Sequence, residues 1–214
     1  MVVMNLNKIK VLGIVALLLA TTSCDKNFGT INTNPNGLEK VQPKSLLAPA
    51  ITKVVSYNMN RSQRITNELM QVTVNMGDGE GKIFRYEIRT SEADYLWNNW
   101  FLQIKNFKDV YKFAEDLDQK NYMGVSLICQ AWVFSMLTDT YGDIPYYQAS
   151  QAQEGNFMPK FDSQEEIYDQ IIQQLDKANN LLKNSANLDG TSDPIYGGNI
   201  QLWRKFANSL QLRL

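Results

Sequence analysis

The sequence contains no histidine among its 214 residues, and this absence excludes several familiar catalytic sites. Ser-His-Asp and Cys-His nucleophile systems need an imidazole base, and histidine-ligated zinc needs imidazole donors, so this stretch can build none of them. Cysteine is scarce as well, because Cys24 and Cys129 are the only two, too few for a disulfide framework. Cys129 lies in an apolar run, which predicts an inert thiol in the core.

Neither sign of charge is in clear excess, with 21 basic and 22 acidic side chains and a formal net charge of −1. No basic patch stands out, which argues against nucleic acid as a partner. Hydrophobic residues make up 44% of the chain and charged residues 20%. This composition is typical of an ordinary globular domain rather than of a disordered or multi-span membrane protein.

The longest apolar run lies near the N-terminus, at residues 11–20 (VLGIVALLLA), behind Lys8 and Lys10. Ten residues reach only about 15 Å as a helix, half of a bilayer core, so the run predicts a signal peptide over residues 1–23 rather than a spanning anchor. Met4 is an alternative start. Ser23 before Cys24 fits cleavage by the lipoprotein signal peptidase and lipidation of Cys24, although Thr21 departs from the usual aliphatic residue.

An ordinary secretory signal followed by a chance cysteine is the alternative interpretation of this N-terminus. Several acyl chains on Cys24, at roughly 0.8 kcal/mol for each buried CH₂, would make membrane attachment durable. Residues 24–43 are polar and rich in turn-forming residues, so we expect a tether that leads into the folded part of the chain.

Apolar residues at helical spacing predict an all-α domain over residues 44–214. The expected helices cover residues 44–59, 65–76, 92–119, 124–140, 163–184 and 199–214. Capping boxes are expected at Ser91 and at Ser163, and residues 82–90 are expected to be extended or irregular. Helices of this length joined by short loops predict stacked helical hairpins of the TPR type, without a strict sequence repeat.

The last predicted helix has no stop signal before Leu214, which we interpret as a domain truncated at its C-terminus. Without a partner, its apolar side chains are then expected to form an exposed patch that lowers solubility. The side chains concerned are Trp203, Phe206 and Leu210.

Four stretches, in this order along the chain, together resemble one family. They are SCDKNF at residues 23–28 with INTNPN at 31–36; TYGDIPY at 140–146; FDSQEEIY at 161–168 leading into LDKA at 175–178; and DPIYGGN at 193–199 leading into WRKFANSLQLRL at 203–214. This chain resembles the N-terminal half of the SusD/RagB-like nutrient-binding outer-membrane lipoproteins of Bacteroidetes.

The resemblance implies a SusD-like α-helical scaffold at the outer face of the outer membrane, anchored through Cys24. It implies that the protein closes over a TonB-dependent transporter of the SusC type and hands it glycans or peptides, without catalysis and without a cofactor. Much of the ligand surface in this family comes from the part beyond these residues. A lipid-anchored helical-repeat scaffold that binds only other proteins is the alternative.

Glycan binding needs flat aromatic faces beside amide or carboxylate groups. Trp97, Asn98 and Trp100 offer both at the start of one predicted helix, although both tryptophans also lie on its apolar stripe and could instead be core residues. Tyr146 and Tyr147 lie in an irregular loop over residues 146–162, where binding residues concentrate, but could instead anchor that loop to the core. These five residues are the candidate ligand-binding set.

Metal binding and catalysis have weaker support in the sequence. Asp78 and Glu80 lie in a glycine-rich segment that could hold calcium weakly, yet the alternating oxygen ligands of a proper calcium loop are missing, so a plain turn is favoured. A glycosidase would need two carboxylates on opposite sides of a sugar. Glu166 is accounted for by the capping box and Asp143 by a turn, so we predict no catalytic residues and no metal site.

Overall fold

The computed structural model describes residues 41–73, 76–77 and 83–214. The predicted signal peptide, Cys24, nearly all of the tether, and Asp78 and Glu80 lie outside the described residues. Within the described part, regular structure is helical, and the five long helices are named α1 to α5 in chain order. The prediction of an all-α fold is confirmed.

Helix α1 spans Pro43–Arg61 and continues directly into a π-helical turn, Ser62–Thr66, and a last short turn, Asn67–Leu69. Pro43 at its first turn is preorganised for the helix. The separate helix predicted over residues 65–76 is therefore wrong. Residues 60–64 contain neither glycine nor proline, so nothing breaks α1, and the π turn absorbs the change in apolar register. After Leu69 the chain leaves the helix, and Met76 is 97% exposed.

A short 3₁₀ turn, Ile83–Arg85, precedes α2, which spans Ser91–Asp116. The N-cap of α2 is Thr90, in helical conformation and without a side-chain cap hydrogen bond. The capping box predicted at Ser91 is therefore wrong, because Ser91 is already inside the helix. The predicted apolar stripe of α2 is buried where it meets the core, at residues Trp100, Ile104, Phe107, Val110 and Ala114.

Helix α3 spans Lys120–Tyr141 and is buried on almost all sides, as its apolar residues predict. Gly124 allows α3 to approach α4 closely, since a Cβ there would lie 2.6 Å from the Leu182 side chain. Cys129 is fully buried in this helix, and burial raises the pKa of its thiol well above the usual range. The structure thus places Cys129 in the core.

Helix α4 spans Gln164–Leu182, and its predicted capping box is confirmed, with Ser163 and Glu166 each satisfying the other's backbone N–H. A 3₁₀ turn at Gly190–Ser192 precedes α5, Ile200–Arg213, whose N-cap Asn199 accepts from two backbone N–H groups. The expectation of an exposed apolar patch on α5 is wrong for its main residues. Trp203 is completely buried and Leu210 is 7% exposed, because α5 packs on α3 and α4.

Consecutive helices pack against each other, α1 on α2, α2 on α3, α3 on α4 and α4 on α5, which is the stacked-hairpin arrangement of TPR-like folds. Helix α3 contacts the four other helices and forms the centre of one hydrophobic core. In the part of the chain that the structure describes, no helix has the length and apolar character needed to cross a membrane.

Candidate functional site

The connection between α3 and α4, residues 142–163, presents most of the exposed aromatic side chains near the predicted site. This α3–α4 loop leaves α3 at Gly142, whose φ of +76° favours glycine. Its two ends meet where Ile144 and Asp162 form an antiparallel backbone pair with N···O distances of 3.3 and 3.0 Å. The backbone pair closes the base of the loop, so residues 145–161 extend from a fixed point.

The Asp162 carboxylate reinforces this closure from inside the loop. Asp162 is only 6% exposed, and its Oδ2 accepts the backbone N–H groups of Tyr146 at 2.9 Å and Tyr147 at 3.0 Å. Further out, the Gln148 side-chain carbonyl accepts from the backbone N–H of Lys160 at 2.8 Å. We call residues 144–148 and 160–162 the two arms of the loop. The arms are joined first by the Asp162 carboxylate and then, farther from the helices, by the Gln148 side chain.

Trp97 is half-buried near the start of α2 and is surrounded by aromatic rings. Phe161 stacks on it with a centroid distance of 6.1 Å and an interplanar angle of 20°, an offset parallel arrangement. Phe101 and Tyr141 contact the same indole at 4.8 and 5.2 Å between centroids. Phe161 itself is 56% exposed. We call Trp97 and Phe161 the aromatic platform: the Trp97 indole lies behind the Phe161 ring, and the Phe161 ring is exposed to solvent.

The two tyrosines predicted for the site have different surroundings. Tyr147 is 49% exposed, with its ring edge-on to Tyr146 at 5.3 Å between centroids. Tyr146 packs on Phe134 and donates its hydroxyl to Gln174 Oε1 at 2.8 Å. Burial raises the pKa of the Tyr146 phenol far above the ordinary value of 10. Tyr146 therefore anchors the loop to α3 and α4, while Tyr147 offers a ring and a hydroxyl to solvent.

The other predicted residues of α2 also separate into core and surface. Trp100 is 4% exposed and its indole N–H donates to Asn58 Oδ1 at 2.9 Å, so it lies in the core between α1 and α2. Asn98 is exposed, one residue after Trp97. The structure thus exposes Asn98 and Tyr147, leaves Trp97 and Tyr146 half-buried, and places Trp100 in the core.

A lysine supports the inner side of the α3–α4 loop. Lys108 of α2 donates from Nζ to the carbonyl oxygen of Ala149 at 2.7 Å and lies 5.9 Å from the centre of the Phe134 ring. Burial lowers the pKa of Lys108 from its usual range, while the nearby Glu154 opposes that effect. This hydrogen bond holds the loop to α2, in addition to the chain connections of the loop to α3 and α4.

A concave region lined in part by Trp100 lies between the end of α1, the start of α2 and the end of α3. Its volume is about 820 Å³, and its walls combine apolar side chains such as Ile65, Leu69 and Leu96 with an ion pair between Arg61 and Glu92 at 2.7 Å. Within the described ranges, no group of three or more acidic or cysteine side chains is arranged to hold a metal ion.

Phe161 is the surface residue that sequence reasoning did not include in the candidate set. It belongs to an aromatic-bearing loop and lies on no helical apolar stripe, which is the signal that could have identified it. Its stacking on Trp97 depends on the closure of the loop at Ile144 and Asp162, which residue spacing does not reveal.

Residues 35–214 match a family model, SusD-like_2, whose description is "Starch-binding associating with outer membrane". No curated protein matches the chain. Among solved structures, the chain is similar to a SusD homologue from Bacteroides fragilis, with 28% identity, coverage of 81% of this chain and 35% of that one, and a TM-score of 0.60.

Two further structures extend this likeness. A SusD homologue from Bacteroides ovatus shares the fold with a TM-score of 0.68, at 23% identity over 80% of this chain and 35% of its own. A chitin-binding SusD homologue from Flavobacterium johnsoniae is 26% identical, with a TM-score of 0.52 over 59% of this chain and 27% of its own. The chain spans about a third of the length of these solved relatives.

Proposed function

The chain belongs to the SusD-like family of nutrient-binding proteins associated with the outer membrane, and from this premise we propose that it serves in glycan capture at the cell surface. In this proposal a lipoprotein anchored through Cys24 binds an oligosaccharide and passes it to a TonB-dependent transporter of the SusC type. Binding and transfer, rather than bond cleavage, are its role.

The aromatic platform is the observation that carries the ligand-binding part of the proposal. The C–H face of a pyranose ring packs on a flat aromatic ring, and its hydroxyl groups need amide or hydroxyl partners nearby. Phe161 offers the exposed ring and Trp97 lies behind it. Two exposed polar side chains are linked to this pair through the chain: Asn98 directly follows Trp97, and the backbone N–H of Tyr147 donates to Asp162, the residue after Phe161.

Two facts favour glycans over oligopeptides as the nutrient. The family description names starch, and the similar protein from Flavobacterium johnsoniae is described as chitin-binding. A separate observation concerns hydrolysis: Asp162, the residue after Phe161, is buried and its Oδ2 is occupied by two backbone N–H groups. It is therefore a structural acceptor and not one of a pair of exposed acids of the kind that glycoside hydrolysis needs.

Binding of the full-length protein to starch fragments, chitin fragments and oligopeptides by calorimetry would test the proposal. We expect one glycan class to bind, and Phe161→Ala to weaken that binding roughly tenfold, which corresponds to about 1.4 kcal/mol. Phe157→Ala is the matched control, since Phe157 is 78% exposed in the same loop but has no place in the platform. Binding of no glycan by the wild type would contradict the proposal.

The anchor has its own test, because Cys24 lies outside the described residues. Labelling with radioactive palmitate should mark the wild-type protein and not the Cys24→Ala variant, which should leave the membrane fraction. A Cys24→Ala protein that stays membrane-bound and labelled would contradict lipidation at this residue.

A protein-interaction scaffold without a small ligand remains the second candidate. It is favoured by the tip of the α3–α4 loop, where Phe157 is 78% exposed and Met158 is 90% exposed, as is common at contact surfaces between proteins. Co-purification of a transporter together with failure of every glycan and peptide to bind would select the scaffold over the nutrient-binding function.

A further inference from the structure

The exposed rings of the candidate site depend on a side chain that no ligand could reach. Asp162 is 6% exposed, yet it follows Phe161 directly in the chain and its Oδ2 accepts the backbone N–H of Tyr147 at 3.0 Å. One carboxylate is thus joined to both arms of the α3–α4 loop, one arm carrying the ring that stacks on Trp97 and the other carrying the exposed tyrosine.

Tyr146 and Lys108 hold the loop to the helices, through hydrogen bonds to Gln174 Oε1 and to the Ala149 carbonyl oxygen, but these bonds do not join the two arms to each other. The backbone pair between Ile144 and Asp162 fixes the base but ends before Tyr147, and the next link, from Lys160 N–H to Gln148 Oε1, is made by an exposed side chain. Asp162 is buried and accepts two backbone N–H groups at once, so it is a solvent-protected link between the arm that carries Tyr147 and the arm that carries Phe161.

We propose that Asp162 is the positioning residue of the aromatic site: its carboxylate fixes the spacing between Tyr147 and Phe161 before ligand arrives. This inference rests on the proposed function and adds a mechanism to it. A surface that is already ordered loses little conformational freedom on binding, so a fixed spacing raises affinity without adding a contact to the ligand.

The chemistry of the side chain allows a sharp comparison of variants. In Asp162→Asn the amide oxygen can still accept both backbone N–H groups, so the spacing should be kept although the charge is lost. In Asp162→Ala both N–H groups lose their acceptor and the two arms are free to separate. Asp143→Ala is the matched control, because Asp143 is an exposed aspartate of the same loop whose Oδ1 accepts from Gln164 N–H and from neither tyrosine.

The first measurement is the dissociation constant of the full-length protein for its oligosaccharide. We expect it to rise about tenfold in Asp162→Ala and less than threefold in Asp162→Asn and Asp143→Ala. In a Phe161→Ala background, Asp162→Ala should add little further loss, because a positioning residue acts through the ring that it positions. Fully additive losses, or a folded Asp162→Ala protein with unchanged affinity, would overturn the inference.

The second measurement needs no ligand and therefore separates this inference from the proposed function. With 5-fluorotryptophan, the ¹⁹F resonance of Trp97, assigned through Trp97→Phe, should shift in Asp162→Ala and stay in place in Asp162→Asn. The resonances of Trp132 and Trp203, away from the loop, report whether each variant is folded. If the wild type binds no glycan, the proposed function fails, while an unmoved Trp97 resonance in folded Asp162→Ala overturns the positioning role.

Discussion

Two loops of this molecule, the α3–α4 loop and the α4–α5 loop, each contain a buried aspartate that accepts several hydrogen bonds. The two loops differ in whether those hydrogen bonds reach the core. In the α4–α5 loop, residues 183–199, Asp193 accepts the backbone N–H groups of Ile195, Tyr196 and Gly198 and the indole N–H of Trp203. Its two oxygens therefore take four donors, one of which comes from the core of α5.

The α3–α4 loop uses the same kind of side chain for another purpose. Asp162 takes two backbone donors, and the aromatic side chains around it include Tyr147 at 49% and Phe161 at 56% exposure. A buried carboxylate with donors from the core fixes a loop onto the protein, whereas one with donors only from its own loop fixes the loop's shape and leaves its rings available. The first loop is thus held to the core, whereas the second keeps exposed rings on a fixed frame, which is what the proposed binding site requires.

The largest effect expected from this contrast is that of Asp193→Ala. Four donors would lose their acceptor inside the protein, and we expect the free energy of unfolding to fall by about 4 kcal/mol in urea denaturation. Asp189→Ala is the control in the same loop, since exposed Asp189 accepts locally from Thr191, and it should change stability far less than Asp193→Ala. A loss below 1 kcal/mol for Asp193→Ala would remove the distinction between the loops.

One glycine in each loop allows the same comparison with a smaller expected change in stability. Gly198 of the α4–α5 loop has a φ of +88° and Gly155 of the α3–α4 loop a φ of +86°, so alanine meets similar backbone strain at both. A Cβ at Gly198 would lie 2.5 Å from the carbonyl oxygen of Leu188, whereas at Gly155 it would meet open space.

We therefore expect Gly155→Ala to cost about 1 kcal/mol and Gly198→Ala about 3 kcal/mol of unfolding free energy. Thermal unfolding of both variants would check the difference. Equal losses of unfolding free energy would mean that the α4–α5 loop accommodates an added Cβ as readily as the α3–α4 loop does.

The smallest expected effect concerns the anchored part of the α3–α4 loop. Burial raises the pKa of Tyr146 above its unfolded value of 10, so above pH 10 unfolding releases a proton and stability falls as pH rises. Tyr146→Phe should lose about 1 kcal/mol at neutral pH, through the hydrogen bond to Gln174, and should fall less steeply at alkaline pH. Parallel stability curves for the two proteins above pH 10 would contradict this account.

Most of the helical scaffold could be predicted from the sequence because each long helix carries an apolar stripe or an apolar surface all round. The capping box of Ser163 and Glu166 was a local signal and was confirmed. The continuation of α1 through Ser62–Thr66 was missed, because a π-helical turn shifts the apolar register without any breaking residue. The burial of Trp203 was missed because it depends on the packing of α5 on α3 and α4, which only the fold creates.

The site could be predicted less well, for a geometric reason. Trp97 and Trp100 are three residues apart on α2 and share one stripe, so spacing gives both the same character. Only the packing of α1 decides that Trp100 faces Asn58 inside while Trp97 lies at the edge under Phe161. In the same way, Tyr146 and Tyr147 are identical neighbours in a loop, so the sequence does not indicate which ring is anchored and which is exposed.

The burial of Cys129 has a practical consequence for work on this surface. Thiol reagents attack the thiolate, and a fully buried thiol whose pKa is raised by its surroundings supplies almost none of it. In a mature chain whose Cys24 is acylated or replaced, a cysteine introduced by Asn98→Cys would then be the fast-reacting sulfur of the native protein. A fluorophore attached there would follow Trp97 directly on α2 and could be read out during sugar binding, with the resident cysteine left in place.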